Sequence, residues 1–234
     1  MSLVNNSASV AFAGRYSTDK IVGVWEGSFN RATDVITRTG DLGTIYLYRI
    51  AHGYARPIAA DLLWSTDNVT FADGGSSDGT DISIPYSDNT YVYIISSLFA
   101  PAVGTMYYKL IGNWIDNYDN TNPLVNSYIS SNKNILFDTR ENYQKIYDQN
   151  VLSFTSASTQ TVTHGLNRLA NFRVFYEAFA GEIWPAYAGG ASNPFLFDTA
   201  MTECDARMKV NTLEVELLTV PSTRRAWYKI YLDV

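Results

Sequence analysis

Only two histidines occur in these 234 residues, and glycine follows each: His52-Gly53 and His164-Gly165. Imidazole moves protons near neutral pH and binds transition metals, so these positions are the first candidates for chemistry. A metal centre needs several His, Cys or carboxylate ligands converging on one point. Neither histidine has a second soft ligand near it in the sequence. A nucleophilic site needs a Ser or Cys paired with the base, and a carboxylate to orient it. The single cysteine, Cys204, reads as a passive, partly buried thiol. The simpler reading is structural: glycine supplies a permissive dihedral, the imidazole bonds nearby backbone, and the pair turns the chain at a strand end. A catalytic group is seldom needed twice at matching positions. His52, Gly53, His164 and Gly165 are therefore assigned to structural turns, with no catalytic residue, no metal ligand and no cofactor.

Two other sets of side chains have types that could do chemistry. Glu177 and Glu182 flank the turn AFAG, and Glu214 and Glu216 share one strand face. A glycan hydrolase acting through Glu177 and Glu182 is the enzymatic alternative, but surface carboxylates account for all four. The stretch Asp73–Asp81, DGGSSDGTD, offers oxygens to Ca²⁺, yet its spacing does not fit an EF-hand, and a Gly/Ser/Asp hairpin explains it. Among the aromatics, Trp64, Tyr176, Trp184 and Tyr187 are the candidates for a subunit interface or for stacking on a host surface glycan.

The elements that position these residues are read from pattern. Short runs of β-branched and aromatic residues, broken by Gly, Asn, Asp and Ser, are strand chemistry punctuated by turns. Leu213, Val215 and Leu217 alternate with Glu214 and Glu216, which gives one buried and one wet face. Strands are expected near Lys20–Phe29, Gly43–Ala51, Ala59–Ser65, Asp81–Pro85, Thr90–Ser97 and Gly104–Trp114. In the second part they are expected near Gln144–Phe154, Gln160–Thr163, Asn171–Ala178, Ile183–Tyr187, Thr212–Thr219 and Arg225–Leu232. Helical signals are thin; the best are a turn within Asp198–Met208 and a stretch at Asn134–Tyr147.

The chain also resembles itself. Phe12, Lys20, Ile21 and Phe29 recur as Phe137, Lys145, Ile146 and Phe154 at one constant spacing. Leu98, Pro101, Tyr108 and Lys109 recur as Leu218, Pro221, Tyr228 and Lys229 at another. Such periodicity points to two tandem units. The expected fold is all-β: two antiparallel β-sandwich domains related by internal duplication, residues 1–116 and 134–234, joined by a polar linker over 117–133. The net charge of −6 argues against a broad nucleic-acid footprint. No apolar run approaches membrane-spanning length, and the first residues lack the layout of a signal peptide.

The segment TVTHGLNRLANFRVFYE adds a family signal. Val162, His164, Gly165, Leu166, Phe172, Val174, Tyr176 and Glu177 form a strand, His-Gly-Leu, then an aromatic strand. This resembles a segment of structural proteins of tailed bacteriophages. The first unit departs from it, with Tyr54 in place of Leu166 and no glutamate after Trp64. The resemblance covers about fifteen residues per unit and carries over no catalytic residue. It implies a non-enzymatic virion protein, tail-associated or decorating the capsid, assembled in a host cytoplasm. Its partners would be other virion proteins and copies of itself, without nucleic acid or membrane insertion. A receptor-binding or fibre module with an aromatic face for host glycan is the alternative.

Overall fold

The computed structural model describes residues 17–18, 21–73, 84–97, 103–113, 115, 145–188 and 196–232. These residues form seventeen strands and no helix. In the first half, β2 (Ile21–Asn30), β9 (Thr105–Asn113), β5 (Ala59–Ser65) and β6 (Ala72–Asp73) make one antiparallel sheet in that order. Strands β7 (Ile84–Ser87), β8 (Tyr91–Ser97), β4 (Thr44–Ala51) and β3 (Ile36–Thr39) pair in that order against it. In the second half the order β10 (Lys145–Phe154), β17 (Arg224–Leu232), β12 (Phe172–Phe179), β13 (Glu182–Pro185) follows the first sheet strand for strand. Its partner sheet runs β11 (Ser158–Thr163), β16 (Thr212–Leu217), β15 (Cys204–Met208), β14 (Tyr187–Ala188), matching β4-β8-β7 over its first three members. Even a β-bulge recurs, between Ile21 and Gly23 and between Ile146 and Asp148.

The two halves share one sheet. β13 pairs with β7 through Ile183 and Ser87, and β1 (Ser17–Thr18) lies along β10. The result is a nine-stranded sheet, β1-β10-β17-β12-β13-β7-β8-β4-β3, with one four-stranded sheet packed on each half. That arrangement explains why β4 is apolar on both sides. Ile45 and Leu47 join the core of the second half, while Tyr48 and Ile50 face the core of the first. Leu213, Val215 and Leu217 on β16 are fully buried, as their alternation predicts. Each such side chain contributes about 1.5–3 kcal/mol of burial. Strand glycines are covered by rings: a Cβ at Gly23 or Gly112 would lie 2.5 or 2.7 Å from the Trp25 ring. The indole replaces the missing side chains and fixes the edge of the sheet.

The expected helical turn within Asp198–Met208 is corrected. Only a turn closes there, with the Met201 amide donating to the Asp198 carbonyl, and Cys204–Met208 is strand β15. Ala, Arg and Met favour helix locally, but Cys204, Asp205 and Ala206 are buried between β16 and β14, and sheet packing overrides propensity. From Asn134–Tyr147, residues 145–147 begin β10 and the rest lies outside the described residues, as does the expected linker. The register also moves the sequence alignment of the last strands. Leu110 pairs with Trp25, and Tyr228 with Asn150, so Leu110 and not Tyr108 is the counterpart of Tyr228. A two-residue shift keeps every side chain on its face, so the period-2 pattern could not detect it.

Candidate functional site

Both His-Gly pairs sit where a strand leaves the sheet. The His52 amide donates to the Thr90 carbonyl at 3.2 Å, and the Tyr54 amide donates to His52 Nδ1 at 3.1 Å. His52 Nε2 lies 3.0 Å from the Asp88 carbonyl. An amide can only donate, so Nδ1 must accept, and Nε2 then carries the proton given to Asp88. The second half repeats each bond. The His164 amide donates to Asn211, the Leu166 amide donates to Nδ1 at 3.2 Å, and Nε2 lies 3.1 Å from the Lys209 carbonyl. Gly53 and Gly165 have φ of 78° and 65°, and no atom lies within 4 Å of where a Cβ would stand. Conformation, not space, demands glycine there. Both ring nitrogens of each histidine are spent on backbone, which is a turn lock. Burial holds the His52 imidazole below its ordinary pKa, against the pull of the Asp88 carbonyl and carboxylate.

The aromatic candidates separate. Trp184 and Tyr176 are 0% and 1% exposed, so neither ring offers a face to a sugar. Trp184 instead crosses between halves. Its ring stacks on Tyr86 of β7 at 4.3 Å, and Tyr86 stacks on Tyr93 at 4.8 Å. Trp64 is partly buried against the core of the first half. Tyr187 lies in β14, and its side chain is outside the described residues.

Sequence reading did not find the charged groups around this stack. Arg38 on β3 donates to Glu182 Oε2 at 2.7 Å and to the Tyr86 hydroxyl at 3.4 Å. Its guanidinium lies over Phe179 at 4.4 Å and Phe197 at 5.1 Å. Burial lifts the Tyr86 hydroxyl out of the ordinary phenol range, and burial with the Asp88 bond pushes Tyr93 up to about 12. On the other side of the shared sheet, Phe175, Ile183 and Trp227 of the second half bury Ala59 and Ile115 of the first. Arg173 reaches Asp61 at 2.6 Å there, and Asn113 donates to the same carboxylate oxygen at 3.0 Å. Among the described residues the joint is thus apolar at its centre, with an ion pair on each side.

The carboxylates considered for glycan cleavage are engaged separately. Glu177 accepts from the Arg225 amide and guanidinium, with Oε1 2.8 Å from Nη2, whereas Glu182 belongs to Arg38. Glu214 pairs with Lys209 on the outer face of β16, beside Asp205, Arg207 and Glu216. Cys204 is buried, and burial raises its thiol pKa strongly. Among the described residues no three His, Cys, Asp or Glu side chains converge as a metal site. Most of the Asp73–Asp81 loop lies outside the described residues. No protein-family model, curated protein or solved structure matches this chain.

Proposed function

We propose that this chain is a non-enzymatic structural protein of a bacteriophage virion, tail-associated or surface-decorating, acting through contacts with its own copies and with other virion proteins. The observation that carries the reading is the repeated unit. One strand order, one bulge and one His-Gly lock occur twice, and the units join through a shared sheet. A module that builds by sheet pairing suits a particle component, and duplication of an ancestral unit is part of this proposal. The segment that resembles phage structural proteins supports it, because its histidine serves the backbone rather than a substrate. The enclosed rings of Trp184 and Tyr176 weigh against a glycan-stacking face.

Light scattering on the purified protein, with and without host envelope polysaccharide, tests the reading. A discrete ring- or trimer-sized species that ignores polysaccharide is expected. A species that binds polysaccharide would replace this reading with a receptor-binding one, and shortening of the polysaccharide would replace it with an enzyme.

A further inference from the structure

His52 is tied to the joint in a way that His164 is not. Its Nε2–H bonds the carbonyl of Asp88, the residue directly after Ser87, and Ser87 is the point where β7 pairs with β13 of the second half. Ser87 Oγ also donates to the Ile58 carbonyl at 2.6 Å and accepts from the Ile58 amide at 3.0 Å, so this end of β7 is held from three directions. The corresponding bond of His164 goes to Lys209, which follows Met208 at the end of β15, and β15 pairs with β14 and β16 of its own half.

We propose that the His52-Gly53 turn is an acid-sensitive latch on the joint between the halves. Protonation at Nδ1 sets an N–H against the Tyr54 N–H. Two donors cannot share that 3.1 Å contact, so the buried ring must turn away, and the Nε2–H bond to Asp88 is disturbed with it. The end of β7 then loses one of its anchors where the second half is paired.

The surrounding groups set the balance. Asp88, on the β7–β8 turn, is the carboxylate that favours the cation, but it already accepts from the Thr90 and Tyr91 amides at 2.7 Å each and from the Tyr93 hydroxyl at 2.9 Å. Tyr54 stacks on the imidazole at 5.7 Å from the loop before β5 and offers no charge near neutrality. Desolvation outweighs the Asp88 attraction, which favours the neutral ring.

Hydrogen exchange on the intact chain, between about pH 7 and about pH 5, tests this. Exchange is corrected for its intrinsic pH dependence. Protection of the Tyr54 amide and of segments 84–88 and 182–185 is expected to fall several-fold on acidification, with central strand β8 changing less. H52N should remove the pH dependence: an Asn side chain still accepts from the amide two residues on but does not titrate. Unchanged protection in the parent, or a fall that persists in H52N, overturns the proposal. If H52N misfolds, NMR titration of His52 in the parent decides: an imidazole that protonates at or above the ordinary 6.5 overturns the latch.

Discussion

The outer faces of two corresponding sheets, β2-β9-β5-β6 and β10-β17-β12-β13, share a strand order but carry different side chains. On the core-facing side the register makes Ala72 the counterpart of Trp184; on the outer face it makes Leu63 the counterpart of Phe175, Lys109 of Trp227 and Glu26 of Val151. In the second half this face is aromatic and seals against the first half. In the first half an exposed ion pair, Lys109 to Glu26 at 3.5 Å, stands where Trp227 and Val151 stand. The scaffold does not decide whether a face is a joint or a wet surface. A few substitutions on one backbone do, and they move charge and aromatic area in opposite directions.

The sharpest way to break this comparison is at Trp184. Its ring is fully enclosed and fills the space between β13 and the Tyr86–Tyr93 stack. W184A should lower stability by about 3–5 kcal/mol, measured by urea unfolding. Its counterpart Ala72 is exposed on a two-residue strand, and A72S should cost less than about 0.5 kcal/mol. Equal effects at the two positions would mean that the joint is not where the halves differ.

The Arg38–Glu182 contact comes next. The side chains are 28% and 20% exposed, so the pair is neither fully screened nor fully desolvated. E182Q should cost about 1–2 kcal/mol, less than a fully buried pair and more than a surface one. A double-mutant cycle with R38M would isolate the coupling. A coupling near zero would mean that on this side of the sheet the aromatic stack, not the ion pair, holds the joint.

The two histidine turns permit a finer comparison. H52N and H164N should each change stability by about 1 kcal/mol, since the same hydrogen bonds are altered in both. The folded state keeps His52 below its unfolded pKa, so below 6.5 the unfolded chain binds the proton more readily. The stability that this gives is present above pH 6.5 and lost as pH falls through the folded value. Thermal melts of the parent and H52N should therefore converge on acidification. Melts that stay parallel would show that His52 does not couple folding to protons.

Much of the scaffold was legible because alternation and turn residues are local signals. Strand β5 falls on the expected Ala59–Ser65, and β2, β4, β8, β9, β10 and β12 differ from expectation only at their ends. The His-Gly turns could be read because a positive φ leaves glycine in the sequence. Strand β3 was not foreseen: Arg38 is a charge on an inward-facing position, and its partner Glu182 lies 144 residues away. Likewise, nothing local says that Trp184 covers Tyr86 rather than a sugar. A buried and a ligand-stacking tryptophan look alike until distant strands are placed together. The pairing of β13 with β7 is also non-local, so no local pattern announced the sheet that the two halves share.

A small stability effect is expected at the Glu26–Lys109 pair, and it tests the comparison from the opposite side. Both side chains are about half exposed, so E26V with K109W should change folding stability by no more than about 1 kcal/mol. The substitutions would, however, give the first half the aromatic surface of the second beside Leu63, Phe71 and the exposed Val24. Exposed apolar patches of this kind associate. Sedimentation should show concentration-dependent self-association of the double variant beyond that of the parent. If the variant associates no more than the parent, the ion pair is not what keeps this face wet, and the difference between the halves must lie in their backbones.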